Sequence, residues 1–143
     1  MKLKIELVPS SSFYKNVRSN VSRSEWDIIR RKSYQKANYK CEICGGIGNK
    51  HPVECHEIWE YDIKTKIQKL VGFISLCPKC HQVKHIGLSQ IRGLYGECLE
   101  HLSKVNNISI DKAEKYIDER FEEWQERSNI KWTLDISLLE INK

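Results

Sequence analysis

The chain has 143 residues, of which 30% are charged and 40% apolar, a composition typical of a globular domain with a buried core. No apolar run approaches the roughly 20 residues that cross a bilayer, and the alternating amino terminus lacks the apolar stretch of a secretory signal. We therefore expect a cytoplasmic protein without a membrane partner. The net charge of +5 is uneven, because residues 1–40 carry ten Lys or Arg but only three Asp or Glu.

Two elements and a basic patch are expected before the first cysteine. Apolar and charged residues alternate over residues 3–7, which predicts a short strand. Ser22 and Glu25 have the spacing of a capping box, and this predicts a helix over about 23–38. Basic residues in and after this helix, with one further along the chain, are candidate contacts to nucleic-acid phosphates: Arg30, Arg31, Lys32, Lys36, Lys40 and Lys84.

A β-hairpin followed by a short helix is expected in the middle of the chain. Residues 53–62 and 67–76 are rich in β-branched and aromatic residues, and a polar connection separates them. Pro78 favours the first position of a helix that carries residues 79–85. Gly87 is expected to end that helix.

The last third of the chain is expected to be mostly helical. One helix is predicted over 91–105, and Ser109 is expected to cap another. Residues 131–139 read as a closing strand that could pair with the amino-terminal one. Cys98 and His101, three apart on the first of these helices, are interpreted as packing residues.

Four of the six cysteines form two C-x-x-C pairs, which is the spacing of a structural zinc site. Each pair places two sulfurs on one tight turn, and the second pair opens the Pro78 helix, where backbone N–H groups stabilise thiolate charge. We expect one zinc ion bound by Cys41, Cys44, Cys77 and Cys80. Two redox-active pairs, or buried thiols, are the alternative interpretation.

The histidines form a second candidate set. His81 and His85 are four residues apart on the predicted helix, so both project from one face, as a divalent-metal pair does. A solvent-facing pair is the alternative. His56 lies in the first strand of the hairpin, from which it could face that helix, whereas His51 is interpreted as a surface loop residue. Glu54 and Glu57, on either side of His56 in the strand, could orient it, but they are interpreted as ordinary polar residues of the strand.

The order of these parts resembles the HNH endonucleases, a family with a ββα-metal core. The resemblance covers about residues 26–86: a helix leading into "CEICG", a strand around a histidine, and then "LCPKCHQVKH". It implies an α+β fold in which a small zinc-stabilised, treble-clef-like ββα-metal core carries flanking helices. We accordingly expect a single domain over 1–143, with a C-terminal helical extension over 91–143.

The resemblance also implies an activity. His56 takes the place of the family's general base, which activates a water to attack a phosphodiester bond. His81 and His85 match the positions that hold the catalytic ion, a second divalent ion such as Mg²⁺, Mn²⁺, Ni²⁺ or Zn²⁺. DNA is the expected substrate and RNA the alternative, and the oligomeric state is left open.

Two positions depart from the family's pattern. The residue before the base usually helps to hold the metal, and here it is Cys55, whose thiolate would favour zinc over magnesium. Cys55 is thus either a ligand of the catalytic ion or a core residue. The place of the family's middle asparagine falls near Gly72, and Gln68 is a candidate substitute.

A non-catalytic zinc module that binds nucleic acid or a protein partner is the alternative function. Such a module needs the four cysteines, but it has no reason to place three histidines in one cleft. The basic residues would contact phosphates in either case. The histidine trio therefore favours the endonuclease.

Overall fold

The protein is α+β, with one three-stranded sheet and helices against both of its faces. The computed structural model describes residues 1–13 and 15–141. Its strands are β1 (Glu54–Asp62), β2 (Ile67–Leu76) and β3 (Thr133–Asp135). β1 and β2 form the antiparallel hairpin that the sequence predicts, and β3 pairs in parallel with the start of β2.

Seven helices lie in the described residues. They are α1 (Val17–Asn20), α2 (Arg23–Lys36), α3 (Pro78–Lys84), α4 (Ile86–Ile91), α5 (Tyr95–Asn106), α6 (Ile110–Ser128) and α7 (Leu138–Ile141). A 3-10 turn over Ser10–Ser12 precedes them. None of these helices has the length and apolar character needed to cross a membrane.

Neighbouring side chains of the hairpin point to opposite faces of the sheet, as strand alternation requires. His56 pairs with Ile74 and faces α3, whereas Cys55 pairs with Ser75 and faces α2. Ser75 Oγ lies 2.8 Å from Ser33 Oγ of α2, and both residues are buried. This bond explains why a serine interrupts the apolar stripe of α2, since each hydroxyl satisfies the other.

The hairpin register shifts once, where Val71 forms a bulge opposite the step from Ile58 to Trp59. A bulge of this kind bends a strand and increases its twist. It lies outside the stretch that contains Cys55 and His56. Those two side chains therefore keep pointing to opposite faces of the sheet.

Each face of the sheet has its own buried cluster. The larger cluster lies on the side of α3 and contains Leu3, Ile5, Cys41, Val53, Leu76, Cys77, Cys80, Val83, Ile86, Cys98, Leu102, Ala113 and Ile117. The smaller cluster lies on the side of α2 and contains Val17, Trp59, Leu70 and Leu139. Three of the four zinc-spaced cysteines thus belong to the larger core, together with residues of α5 and α6.

Both predicted helix caps are confirmed. Ser22 Oγ accepts the Glu25 N–H at 3.1 Å, Glu25 Oε1 accepts the Ser22 N–H at 3.3 Å, and α2 follows at once. Ser109 Oγ accepts the Lys112 N–H at 3.2 Å at the start of α6. These short-range signals depend only on neighbouring residues, so the sequence is sufficient to identify them.

Residues 3–7 do not form the predicted strand. Leu3 bonds through both of its backbone groups to the Asn106 side chain, and the Ile5 N–H donates to Tyr116 Oη at 2.9 Å. Leu3 and Ile5 are fully buried, as the alternation indicates. Their backbone partners, however, are side chains of α5 and α6 and not a neighbouring strand.

Two helix boundaries also differ from prediction. His85 alone separates α3 from α4, so Gly87 lies inside a helix instead of ending one. The helix predicted over 91–105 is interrupted at Gly93, whose φ of +76° lies in the left-handed region that glycine adopts without strain. α4 and α5 are therefore separate helices.

Of the closing strand predicted over 131–139, only Thr133–Asp135 are present as β3, the last predicted residues lie in α7 (Leu138–Ile141), and the partner of β3 is β2. Ile67 pairs with Thr133 and Lys69 pairs with Asp135. The predicted pairing with the amino-terminal segment is wrong, because that segment is already bonded to α5 and α6.

Candidate metal centres

The four cysteines of the two C-x-x-C pairs form one cluster. All four sulfurs, those of Cys41, Cys44, Cys77 and Cys80, lie within 4.8 Å of one another. Cys44 Sγ and Cys77 Sγ, one from each pair, are 3.5 Å apart. Tetrahedral zinc–thiolate bonds of about 2.3 Å place the sulfurs about 3.8 Å apart. The cluster could therefore hold a metal ion, and zinc fits both its donors and its size.

Backbone N–H groups surround these sulfurs and stabilise negative charge on them. The turn of the first pair contains Gly45, whose φ of +77° favours glycine. Three N–H groups donate to sulfur: Cys44 N–H to Cys41 Sγ at 3.5 Å, Gly46 N–H to Cys44 Sγ at 3.4 Å, and Cys80 N–H to Cys77 Sγ at 3.4 Å.

The sulfurs also share protons. A hydrogen bond from the Cys80 thiol lowers the pKa of Cys41 to about 4, and the same bond raises the pKa of Cys80. Burial raises the pKa of Cys77 to about 11. The cluster thus favours a thiolate at Cys41 beside protonated thiols. A divalent ion would displace the remaining protons on binding, so its affinity would rise with pH.

Two hydrogen bonds fix the first cysteine turn against the hairpin, and a close approach of Gly48 fixes it against α3. The Glu42 N–H donates to Ser75 O at 2.9 Å, and the Ser75 N–H donates to Glu42 Oε2 at 2.7 Å. Gly48 lies so close to α3 that a Cβ on it would be 2.8 Å from Pro78 Cδ and 2.5 Å from His51 O. The two cysteine pairs are therefore held together by packing as well as by any ion.

His101 of α5 contacts the cysteine cluster. Its Nε2 lies 3.1 Å from Cys80 Sγ, and burial lowers the pKa of the ring. A neutral ring that donates this N–H would stabilise a metal-bound thiolate. Cys98 is buried in the core, in keeping with its interpretation as a packing residue. His101 is therefore more than a packing residue, because it contacts a candidate metal ligand. Its position in the sequence of α5 does not predict that contact.

The three histidines form a second cluster, between β1 and α3. Each of His56, His81 and His85 offers a ring nitrogen, and these nitrogens lie within 4.8 Å of one another. His81 Nε2 and His85 Nε2 are 3.0 Å apart. The His56 ring centroid lies 5.3 Å from that of His81 and 5.1 Å from that of His85. The hairpin thus brings His56 to the helical pair, and the trio could hold one metal ion.

Two rings of this histidine cluster are neutral near pH 7. Burial lowers the pKa of His56 well below 6.5, and the charges of His85 and His81 lower it further. Burial, followed by the charge of His81, lowers the pKa of His85 to about 4. Because neutral imidazole is the form that binds metal, protons compete weakly for these two rings at neutral pH.

A carboxylate holds the His81 ring in place. Glu54 Oε2 forms a hydrogen bond with His81 Nδ1, which leaves Nε2 directed toward His85. Metal-binding histidines commonly have such a carboxylate on their second nitrogen. The other oxygen, Glu54 Oε1, lies 3.4 Å from His51 Nε2. Glu54 is therefore not an ordinary polar residue. Its place two residues before His56, on the same face of β1, is the sequence signal that identifies it.

Cys55 lies outside the histidine cluster. It borders the same cleft, but its side chain points to the other face of β1 and hydrogen-bonds with Ser33. Burial raises the pKa of its thiol to about 11, so the thiol stays protonated at neutral pH. The histidine cluster forms without Cys55, and this placement favours the alternative interpretation of a core residue.

Neither candidate for the family's asparagine lies beside His56. Gly72 pairs with Ile58, beyond the histidine, and offers no side chain. Gln68 pairs with Tyr61 near the far end of the hairpin and is fully buried. Its amide nitrogen and oxygen have no hydrogen-bond partner among the described residues. Gln68 is thus excluded as a substitute for the family's asparagine, because the pairing of β1 with β2 places it several residues along the hairpin from His56.

The histidine cluster opens into a cleft of about 240 Å³, which we call the histidine cleft. The amino-terminal segment forms one side of it. The Val17 N–H donates to Glu57 Oε1 at 2.7 Å, and this bond ties α1 to β1 at the residue next to His56. Arg18 and Lys84 bring positive charge to the cleft, and Glu6 and Glu57 bring carboxylates.

The basic residues predicted to contact phosphates do not share one cleft. Lys84 lines the histidine cleft, where burial lowers its pKa. Arg30 lines a neighbouring cleft and forms an ion pair with Asp27 at 2.8 Å. The other four lie elsewhere: Lys32 and Lys36 beside an apolar groove of α2, and Arg31 and Lys40 on exposed surface.

Comparison of the chain with protein-family models, with curated proteins and with solved structures gives no match. Its function is therefore inferred from the two clusters and the clefts around them.

Proposed function

We propose that the protein is a metal-dependent endonuclease of the HNH type, which hydrolyses phosphodiester bonds of DNA. The observation that carries the proposal is the trio of His56, His81 and His85, braced by Glu54 and open to a cleft. A structural zinc site does not need three histidines in a cleft beside it. Perturbed titratable groups gathered in a cleft are more typical of a reactive site.

In this proposal His81 and His85 hold the ion and His56 acts as the general base. The lowered pKa of His56 keeps its ring neutral, the form that accepts a proton from the attacking water at pH 7, and it also makes the ring a weaker base than a histidine with a pKa near 7. A divalent ion, when bound, would supply positive charge at a non-bridging oxygen and at the departing 3′ oxygen. Lys84 adds a further positive charge at the cleft, where a phosphate would enter.

The nitrogen donors favour some ions over others. Imidazole suits Zn²⁺ and Ni²⁺, whereas Mg²⁺ prefers carboxylate, carbonyl and water oxygens. Glu54 does not join the donor set, because its Oε2 is bonded to His81 Nδ1. We therefore expect cleavage to be faster with Ni²⁺ or Zn²⁺ than with Mg²⁺ at equal concentration, with Mn²⁺ between them.

His56 is near enough to the other rings to act as a third ligand instead of as the base. The two roles predict different metal affinities. If His56 is the base, His56→Ala abolishes cleavage and leaves the affinity of the second ion unchanged. If His56 is a ligand, the same substitution lowers both. Isothermal titration of zinc-loaded protein with Ni²⁺ separates the two roles.

A plasmid-nicking assay tests the proposed function. Supercoiled plasmid is incubated with the protein and each of Mg²⁺, Mn²⁺, Ni²⁺ and Zn²⁺, and the wild type is compared with His56→Ala. Glu60→Gln is the control, because Glu60 is an exposed residue of the same strand and is not a member of the trio. We expect nicking by the wild type and by Glu60→Gln, and at least a 100-fold slower rate for His56→Ala, since a positioned base contributes about 10²–10⁴ in rate.

Two outcomes contradict the proposal. Either no ion supports nicking by the wild type, or His56→Ala nicks at the wild-type rate. The non-catalytic zinc module would then be the better account of the chain.

A further inference from the structure

Two clefts of the protein share a wall. The histidine cleft and its neighbour are both lined by Arg18 and Trp26. The neighbouring cleft has a volume of about 680 Å³, and its other lining residues are Ser22, Arg23, Asp27 and Arg30. We call it the arginine cleft. A flexible polymer that enters the histidine cleft would leave it past the Arg18 and Trp26 side chains.

Among the described residues, carboxylates neutralise only part of the positive charge of the arginine cleft, although the charge of Arg18 also acts on Glu57. Of the residues that the structure describes, Asp27 is the only acidic one that lines it, and this carboxylate is paired with Arg30 at 2.8 Å. Neither Arg18 nor Arg23 forms a salt bridge with any residue in the described part of the chain. Both are exposed at the cleft and available to an anion.

Arg18 is held at a fixed place relative to the histidines. It follows Val17, which is fully buried and whose N–H is bonded to Glu57, the residue after His56. Its guanidinium also lies 5.5 Å from the centre of the Trp26 ring. A guanidinium restrained in this way loses less freedom on binding, and its planar donors suit the paired oxygens of a phosphate.

We propose that the arginine cleft binds a backbone phosphate of DNA beside the one that is cut, through Arg18 and Arg23. The DNA strand then crosses from the histidine cleft past Trp26 into the arginine cleft. The inference rests on the proposed function for the identity of the cut phosphate. It adds two residues that the sequence analysis does not single out. Contacts of this kind position the backbone and read no bases, so binding through them is independent of sequence.

Binding measured without cleavage tests the inference. Zinc-loaded protein, with no second ion added, is titrated into a short fluorescein-labelled DNA duplex, and anisotropy is followed at several salt concentrations. Each of Arg18→Ala and Arg23→Ala should weaken binding about tenfold, as loss of a charge-assisted contact does. Each should also lower the slope of log affinity against log salt by about 1. Arg92→Ala, an exposed arginine that lines neither cleft, should change nothing.

A conservative variant separates charge from geometry. Arg18→Lys should restore the wild-type salt slope, because the charge is kept, but recover only part of the affinity, because an ammonium cannot bind two oxygens side by side. If Arg18→Ala lowers the melting temperature, the inference is tested with Arg23→Ala instead. Unchanged affinity and slope in the Arg18→Ala/Arg23→Ala double variant would overturn the inference. An RNA duplex that binds more tightly than the DNA duplex would overturn the choice of DNA.

The inference and the proposed function can fail separately. If the wild type nicks plasmid but the double arginine variant binds DNA normally, the arginine cleft is not a phosphate site and the endonuclease stands. If the arginines govern binding but no ion supports nicking, the arginine cleft stands and the catalytic assignment falls.

Discussion

Glu54 determines how the His81 ring is presented, so it is expected to control the affinity of the histidine cluster for the proposed second ion. Glu54→Ala removes the bond to His81 Nδ1, and the affinity should fall about 10- to 100-fold, as it does when such partners are lost. Glu54→Gln keeps an acceptor oxygen but not its charge and should lose less. The measurement is isothermal titration of zinc-loaded protein with Ni²⁺.

Glu60→Gln is the matched control for this prediction. Glu60 is on the same strand, is exposed, and contacts none of the three histidines. Equal affinities for Glu54→Ala and Glu60→Gln would show that the carboxylate at Glu54 does not support the ion.

Tyr61 carries a buried hydroxyl without a hydrogen-bond partner in the described residues. Its ring lies under the Arg127 guanidinium, 4.6 Å from the ring centre, and edge-on to Trp132 at 5.2 Å. Tyr61→Phe keeps these ring contacts and removes the unsatisfied group. We therefore expect the free energy of unfolding to stay the same or to rise by about 1 kcal/mol in a urea titration at pH 7.

The same substitution has a predictable pH dependence. Burial raises the pKa of Tyr61 above its usual value of 10, so the folded state keeps the proton that the unfolded chain releases near pH 10. Stability should therefore fall as the pH rises above about 10. Tyr61→Phe should show a smaller loss between pH 9 and 11. An equal alkaline loss in both proteins would show that Tyr61 does not contribute to it.

At the scale of elements, the first cysteine turn depends on a close approach to α3. A Cβ on Gly48 would be 2.8 Å from Pro78 Cδ and 2.5 Å from His51 O, so Gly48→Ala forces the turn away from the helix. We expect a loss of about 1–3 kcal/mol in the free energy of unfolding. Gly96→Ala is the control, because no atom lies within 4 Å of a Cβ there.

Gly96 lies in the first turn of α5, where alanine is the better helix former, so Gly96→Ala should leave the stability equal or raise it by up to about 1 kcal/mol. Thermal unfolding of both variants, each loaded with zinc, checks the pair. The account of the turn is contradicted if Gly48→Ala is as stable as Gly96→Ala.

How much of each element could be predicted from sequence depends on how far away its partners lie. The Ser22 capping box, the hairpin and the helix that carries His81 follow from neighbouring residues, and all are present, with His85 just after the end of that helix. The structure of the segment around Leu3 could not be predicted in the same way. Its partner Asn106 is 103 residues away, and alternation looks the same against a helix as against a strand.

The residues of the candidate site differ in the same way: some follow from local sequence spacing, and others depend on tertiary contacts. Spacing alone identified the four cysteines and placed His81 and His85 on one face of a helix. Glu54 could have been found by applying strand alternation from His56, whereas the position of Arg18 depends on the tertiary bond between Val17 and Glu57. The family resemblance makes Cys55 a possible ligand, because the residue before the base usually helps to hold the metal, whereas strand alternation directs Cys55 to the opposite face.

At the scale of the whole molecule, the cysteine cluster is part of the main core. Cys41, Cys77 and Cys80 are buried in one cluster with residues of the amino-terminal segment, α5 and α6. Removal of zinc by a strong chelator should therefore unfold the protein cooperatively and not only loosen the cysteine turns. Far-UV and near-UV circular dichroism with increasing chelator should change together. A loss confined to the hairpin region, with α5 and α6 intact, would contradict this view.

The central claim is that the molecule has two metal sites with separate tasks, and one preparation of His81→Ala tests it most directly. The substitution leaves the four cysteines untouched and removes the ring that Glu54 positions. Metal content and plasmid nicking are measured on the same sample, beside the wild type. We predict one tightly held zinc per chain in His81→Ala, a wild-type melting temperature and no nicking with any added ion. Nicking at the wild-type rate by a protein that contains only the cysteine-bound zinc would contradict the account.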